Sequence, residues 1–363
     1  MRQMSYRLTF HTPAFLGNAE QAAQWRTPPI KALLRQWWRV VYSAQSSTAS
    51  VAAMREAEGR LFGHAWLEND RNEDGQRVAA RRSEVRLRLG AWRLGSLRSW
   101  EGLEQRAVDH PEVERTGGKV GPHVYLGFGP LTVEGRTTVL TKSRAAIQAA
   151  IDTVDIRLAL PEGKEGERIS SALWLIDRFG TLGGRSRNGW GSLGLTPLDS
   201  TPPLEGSLAD SFTLLWQDAL RHEWPQAIGA SMFDGQVRPL IWQTEATADW
   251  KLAMRRLAEV KISARRKFLF TTGRDAPRPE DRHWLSYPVT NHSVRDWGGN
   301  ARLPNSLRFK VRPDPDGKLR GVIFHMPCLP PPAFRPDRHA IERVWQQVHT
   351  HLDADPTLKR ISA

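Results

Sequence analysis

Lys31, Arg35 and Arg39 recur at steps of four within RTPPIKALLRQWWRV (26–40), and two tryptophans, Trp37 and Trp38, stand among them. On a helix that spacing lines the three cations along one side. No acidic residue lies three or four positions from any of them. A row of unpartnered cations suits the phosphates of a nucleic-acid strand, whereas a merely solvated helix face usually mixes signs. Ile30, Leu33, Leu34, Trp37 and Val41 fall on another side as a core-facing stripe, so Trp37 is expected inside. Trp38 lies beside Lys31 and has two readings. It either fills a gap against a neighbouring element with cation–π support, or offers a platform on which a base stacks. Arg26 stands at the approach to the helix.

The second group is GTLGGRSRNGWGSLGL (180–195), six glycines with Arg185 and Arg187 between them. A Walker A loop needs Gly-Lys-Ser/Thr at its end, and no lysine is present. A Rossmann loop follows a strand and opens a helix, and this loop does the reverse, so it has no helix N-terminus to hold a pyrophosphate. Glycines still let backbone N–H groups approach a phosphate chain closely. Gly184, Arg185, Ser186, Arg187 and Asn188 are the candidate contacts. The alternative is a tight connection whose glycines only satisfy turns.

Catalytic candidates are thinner. His11 ends the first expected strand, but no companion base lies near it in sequence. The following loop, TPAFLGNAEQAAQWRT, offers Glu20 as its only carboxylate, and no aspartate occurs before Asp70. His349 and His351, two apart on an expected helix, point to different faces and cannot share a metal. Cys328 is the only cysteine, which excludes internal disulfides and a cysteine-based zinc site. No metal site and no cofactor is expected.

These groups sit in a chain of 363 residues with a formal charge of +13, in which 42 of the 52 basic residues are arginine. Arginine forks onto phosphate and stacks on bases, although a GC-rich genome raises it without selection for binding. No apolar run approaches the ~20 residues of a membrane span. The N-terminus turns polar too soon for a secretory leader, so a cytoplasmic protein is expected. Periodicity predicts a strand at 4–11, helices from about 28 and over 50–62, a polar loop at 68–82 and a strand at 84–90. Residues 92–121 read as an insertion or long loop. A strand within 121–133 and a short helix at AAIQAAI (145–151) follow. A strand at 154–160, a helix at 168–179 and a strand near 190–196 complete an order compatible with a βαββαβ ferredoxin-like unit. The proline-rich stretch 195–207 reads as a domain boundary. Beyond it, helices are expected near 208–222, 247–267 and 336–352, and strands near 305–312 and 319–326.

Together these stretches resemble the RAMP superfamily of CRISPR effector subunits. The matching features are Thr12-Pro13 with Gly17, the proline-led helix from Pro28 to Arg35, and the loop from Gly180 to Gly194. RTPPIKALLRQWWR and Leu61-Phe62-Gly63 look most like the first-numbered RAMP subunit of the Cmr module, the type III-B RNA-targeting complex. Ala32 departs from the glycine usual there.

The resemblance implies an α+β fold of two ferredoxin-like domains, 1–200 and 201–363. It implies a non-catalytic subunit near the 3′ end of the guide crRNA and the 5′ region of the target RNA, beside other RAMP subunits and away from any membrane. Arg26, Lys31, Arg35, Trp38, Arg39 and Gly184–Asn188 are then the expected RNA contacts. Two rivals remain: a RAMP endoribonuclease using His11 or Glu20, and a basic, Trp-rich DNA-binding or ribosomal scaffold.

Overall fold

A computed structural model describes residues 1–46, 50–65, 71, 74–77, 80–208 and 212–361. The chain divides into two compact units. Unit 1 holds Met1–Ser99, Leu140–Ser186 and Trp190–Phe212, and unit 2 holds Trp100–Val139, Arg187–Gly189 and Thr213–Ala363.

In unit 1, β1 (Arg2–Phe10), β2 (Arg86–Leu89), β3 (Thr153–Leu160) and β4 (Leu193–Pro197) form one sheet in the order β2-β3-β1-β4. Every pairing is antiparallel. Met4, Tyr6, Leu8 and Phe10 are buried, the period of two that gives a strand one core face. Between strands run α1 (Thr27–Ala44), α2 (Val51–Phe62) and α3 (Lys164–Phe179). Trp37 of α1 meets Phe179 of α3 with ring centroids 6.0 Å apart, and Ile30, Leu33, Leu34 and Val41 are buried with it. The apolar stripe read from spacing is therefore the packed face of α1.

Unit 2 contains a three-stranded sheet of β5 (Thr213–Leu215), β6 (Ile228–Phe233) and β7 (Gln236–Pro239). Its larger sheet comprises β8 (Ile241–Thr244), β9 (Leu307–Pro313), β10 (Leu319–His325) and β11 (Leu358–Arg360), in the order β9-β10-β8-β11. Those pairings too are all antiparallel. α4 (Trp250–Arg266) follows β8, and α5 (Arg338–Asp353) follows β10. Asp249 and Asp337 cap them, accepting from the N–H groups of Leu252 and Ala340. The two four-stranded sheets are ordered alike, each with its first strand between its third and fourth, with helix after the first strand (α1 and α2, or α4) and after the third (α3 or α5).

Several expectations are corrected. Trp100–Val139, read as part of the first domain, packs in unit 2. Trp100 lies 5.9 Å from Trp250, His123 Nε2 is 3.0 Å from the Lys251 carbonyl oxygen, and Glu112 takes both Nη groups of Arg282 at 2.7 Å. The boundary accordingly falls after Phe212 rather than at 200. Within 92–121 two short strands, Val108–Asp109 and Lys119–Val120, pair with each other. Of residues 121–133, 122–127 form a helix, because Pro122 starts a helical turn without losing a bonded N–H, and the expected strand stands only at the end of the stretch, at Leu131–Glu134. No helix forms at 145–151, where Ala146 and Ile147 bridge to Leu97 and Ala14. Over 213–219 a strand and one helical turn replace the expected helix, because Thr213–Leu215 pairs in parallel with Ile228–Ala230. Asp70 and much of the 68–82 loop lie outside the described residues, as do 209–211.

Candidate nucleic-acid interface

The α1 cations have a partner that local spacing does not reveal. Glu58 of α2, 4% exposed, accepts from Arg35 Nε at 2.5 Å and from Arg39 through both Nε and Nη2. Burial alone would raise the Glu58 pKa. The hydrogen bond and charge of Arg39, followed by those of Arg35, outweigh it, and the carboxyl is held below its ordinary value. Lys31 donates to the Phe62 carbonyl oxygen at 2.8 Å and to Ser83 Oγ at 3.0 Å. Burial and then the charge of Arg35 lower its pKa. Two of the three cations thus share one carboxylate, and the Arg35 and Arg39 side chains remain 37% and 43% exposed. The face keeps a net positive charge, with guanidinium forks held in place from beneath.

Trp38 is the clear correction. It is fully buried, stacks on Tyr42 at 4.9 Å, meets Phe62 edge-on at 5.8 Å, and donates Nε1–H to Glu165 at 3.2 Å. No base can stack on it in this conformation. Arg26 is the N-cap residue of α1 and donates from Nη2 to the Gly17 carbonyl oxygen, tying the preceding loop to the helix.

The glycine loop is pinned where its glycines stand. Gly191 has φ +63°, and a Cβ there would lie 1.9 Å from the Leu182 carbonyl oxygen. Gly183 has φ +103°, and a Cβ would meet the Phe15 oxygen at 2.8 Å. Only glycine fits both the dihedral and the close approach. Gly184 N–H donates to Phe15 O at 2.9 Å. In unit 1, Arg185 is exposed with φ +57°, and Ser186 is half-buried. In unit 2, Arg187 O accepts from Phe309 N–H at 3.0 Å. The Asn188 side chain donates to Leu126 O and accepts from Lys261 Nζ, each at 2.7 Å. Asn188 therefore has a structural role, while Arg185 and Arg187 carry the loop's positive charge.

His11 follows β1, and its Nε2 would lie 2.6 Å from a Cβ placed on Gly194, so the ring packs against that glycine. Glu20 is exposed. His349 is buried, with Nε2 2.9 Å from His325 Nδ1, and His351 Nε2 is 2.9 Å from Ser263 Oγ. Sequence reasoning missed Glu58, although its position was legible. Met54, Glu58, Leu61 and Phe62 share one helical stripe, which places a carboxylate on the buried side of α2.

The crystal structure of apo Cmr1 from Pyrococcus furiosus is similar at a TM-score of 0.47 and 13% identity, over 99% of this chain and 98% of that one. A chain of the type III-B Cmr-beta complex bound to cognate target RNA gives 0.47 and 12%, over 95% and 99%. A chain of a type IV-B CRISPR complex gives 0.29 and 14%, over 57% and 94%. No curated protein matches the sequence. Among the described residues no helix is long and apolar enough to cross a membrane. The RAMP superfamily model matches residues 7–194, more than half of the chain and all of α1, α2 and the glycine loop, and the chain belongs to the RAMP superfamily.

Proposed function

We propose that this protein is a non-catalytic RNA-binding subunit of a type III-B CRISPR (Cmr) effector complex, built from two ferredoxin-like domains. Its partners are the guide crRNA, the target RNA and neighbouring RAMP subunits, at the end of the complex near the guide 3′ end and the target 5′ region. Superfamily membership supports an RNA-handling subunit, and the RTPPIKALLRQWWR and Leu-Phe-Gly stretches support this particular one. The common strand order of the two units supports the ferredoxin-like reading.

The observation that carries RNA binding is the α1 face, where Arg35 and Arg39 share the single carboxylate of Glu58 and Lys31 adds a third positive charge. Guanidinium groups fixed by one carboxylate still present outward N–H donors to phosphate oxygens. Recognition through backbone contacts is largely independent of sequence. In the loop between β1 and α1, the single carboxylate Glu20 supports assigning no cutting step to this chain.

The test is fluorescence anisotropy of the purified chain with labelled single-stranded RNA across a salt series, the RNA then being recovered and run on a denaturing gel. Salt-sensitive binding with intact RNA is expected. Shortened RNA that His11 or Glu20 variants leave intact would make the protein a nuclease. Absence of binding at low salt would refute the reading.

A further inference from the structure

Arg187 and Arg308 form a second cationic group, wholly within unit 2. Arg308 lies on β9, the edge strand of the larger sheet, and is 7% exposed. Arg187 is held beside it: its carbonyl oxygen accepts from Phe309 N–H at 3.0 Å, and Asn188 bridges to Phe309 in parallel. The Lys261 and Leu126 bonds to Asn188 fix that segment further.

Among the described residues neither guanidinium pairs with a carboxylate, and Arg308 Nε is buried without any hydrogen-bond partner. Among the described residues the titratable groups that act on Arg308 bring no negative charge. Cys328 has its thiol pKa raised by burial, so it is neutral at pH 7. His325 is buried and bonded to Ser306 Oγ and His349, each at 2.9 Å, and burial holds it in the neutral form. Burial, then repulsion from Arg187, lowers the Arg308 pKa to about 9, which leaves it charged at neutral pH. A buried guanidinium beside a half-buried one, with no carboxylate paired to either among the described residues, is costly unless a ligand supplies the anion.

We infer that Arg187 and Arg308 hold a phosphate diester of the RNA strand, a contact made by the second unit and independent of the α1 face. This rests on the RNA-binding reading above. A phosphodiester fits because its two free oxygens accept in the planar geometry of a guanidinium fork, which a lysine ammonium does not match. It also adds the negative charge that both arginines lack.

The full chain and its Arg308→Gln, Arg308→Lys and Arg187→Gln variants would be compared by RNA anisotropy across a salt series and by thermal unfolding with and without inorganic phosphate. Arg308→Gln and Arg187→Gln should each bind roughly tenfold more weakly, with the salt slope reduced by about 0.7 for each phosphate no longer neutralised. Arg308→Lys should fall between them and wild type. Without RNA, Arg308→Gln should melt at the same temperature as wild type or higher, because an uncompensated buried charge has been removed. A merely structural arginine would lower it.

Wild-type binding that the folded glutamine variants match would overturn the site and leave RNA binding intact. If wild type binds no RNA but is stabilised by inorganic phosphate where Arg308→Gln is not, RNA is refuted as the source and a small phosphate compound replaces it.

Discussion

Arg39 and Glu58 stand 19 residues apart in sequence, yet the Arg39 guanidinium closes on the Glu58 carboxylate with two hydrogen bonds, one to each oxygen, Nη2 to Oε1 being 2.9 Å. The carboxylate is buried and the guanidinium is nearly half exposed. α2 therefore orients the α1 cations from the core side and leaves their outer side to solvent. Glu58→Gln should lower stability by about 1–3 kcal/mol, less than a fully buried pair because the arginines stay hydrated. The folded pKa of Glu58 lies below its unfolded value near 4.3. The contribution is therefore present above about pH 4.3 and is lost as pH falls through the folded value. Urea denaturation from pH 7 to 3 should show that acid loss in wild type and a shallower one in Glu58→Gln. Parallel curves would refute the assignment.

Replacing Lys31, Arg35 and Arg39 by alanine would strand the Glu58 carboxylate, so weakened RNA binding could reflect a damaged fold. The variant to make is Lys31→Ala, Arg35→Ala, Arg39→Ala with Glu58→Gln, which removes the cations and the buried charge together. Its affinity for single-stranded RNA should fall about 10- to 100-fold near 0.1 M salt, with a flatter salt slope. A folded quadruple variant that binds as wild type does would transfer this face to a protein interface.

Trp38→Phe tests the corrected role of that residue. It removes the Glu165 hydrogen bond and part of a filled core volume, and should cost about 1–3 kcal/mol in chemical denaturation. RNA affinity should not change. A selective loss of affinity with stability preserved would restore the stacking role.

The burial of His349 gives unit 2 a separate acid sensitivity. Burial, then the charge of Arg360, lowers the His349 pKa to about 3, against an ordinary value of 6.5. Protons then bind the unfolded chain preferentially, so stability is undiminished above about pH 6.5 and falls as pH drops from there toward 3. His349 alone should account for about 3 kcal/mol by pH 4, at 1.36 kcal/mol per pKa unit. His349→Gln, which cannot charge, should flatten the slope of unfolding free energy between pH 6 and 4.

The sequence by itself determined the elements whose local pattern agrees with their final burial. α1 was legible because Ile30, Leu33, Leu34, Trp37 and Val41 recur at helical spacing, and β1 and β3 because their apolar residues alternate. The glycine loop was legible because positive φ and close backbone approach leave few other residues able to stand at Gly183 and Gly191.

What only the tertiary structure decided depends on partners distant along the chain. Spacing placed Trp38 beside the α1 cations but could not choose between its two readings, because a helical wheel shows neighbours on the same helix only. Tyr42, Phe62 and Glu165 bury the indole, while Glu58 gathers Arg35 and Arg39. Residues 122–127 and 145–151 were misread because short apolar runs fit strand and helix equally well until long-range packing chooses. The pairing of Arg187 with the strand carrying Arg308 spans more than a hundred residues. A charge left without a carboxylate becomes visible only when every side chain around it has been placed.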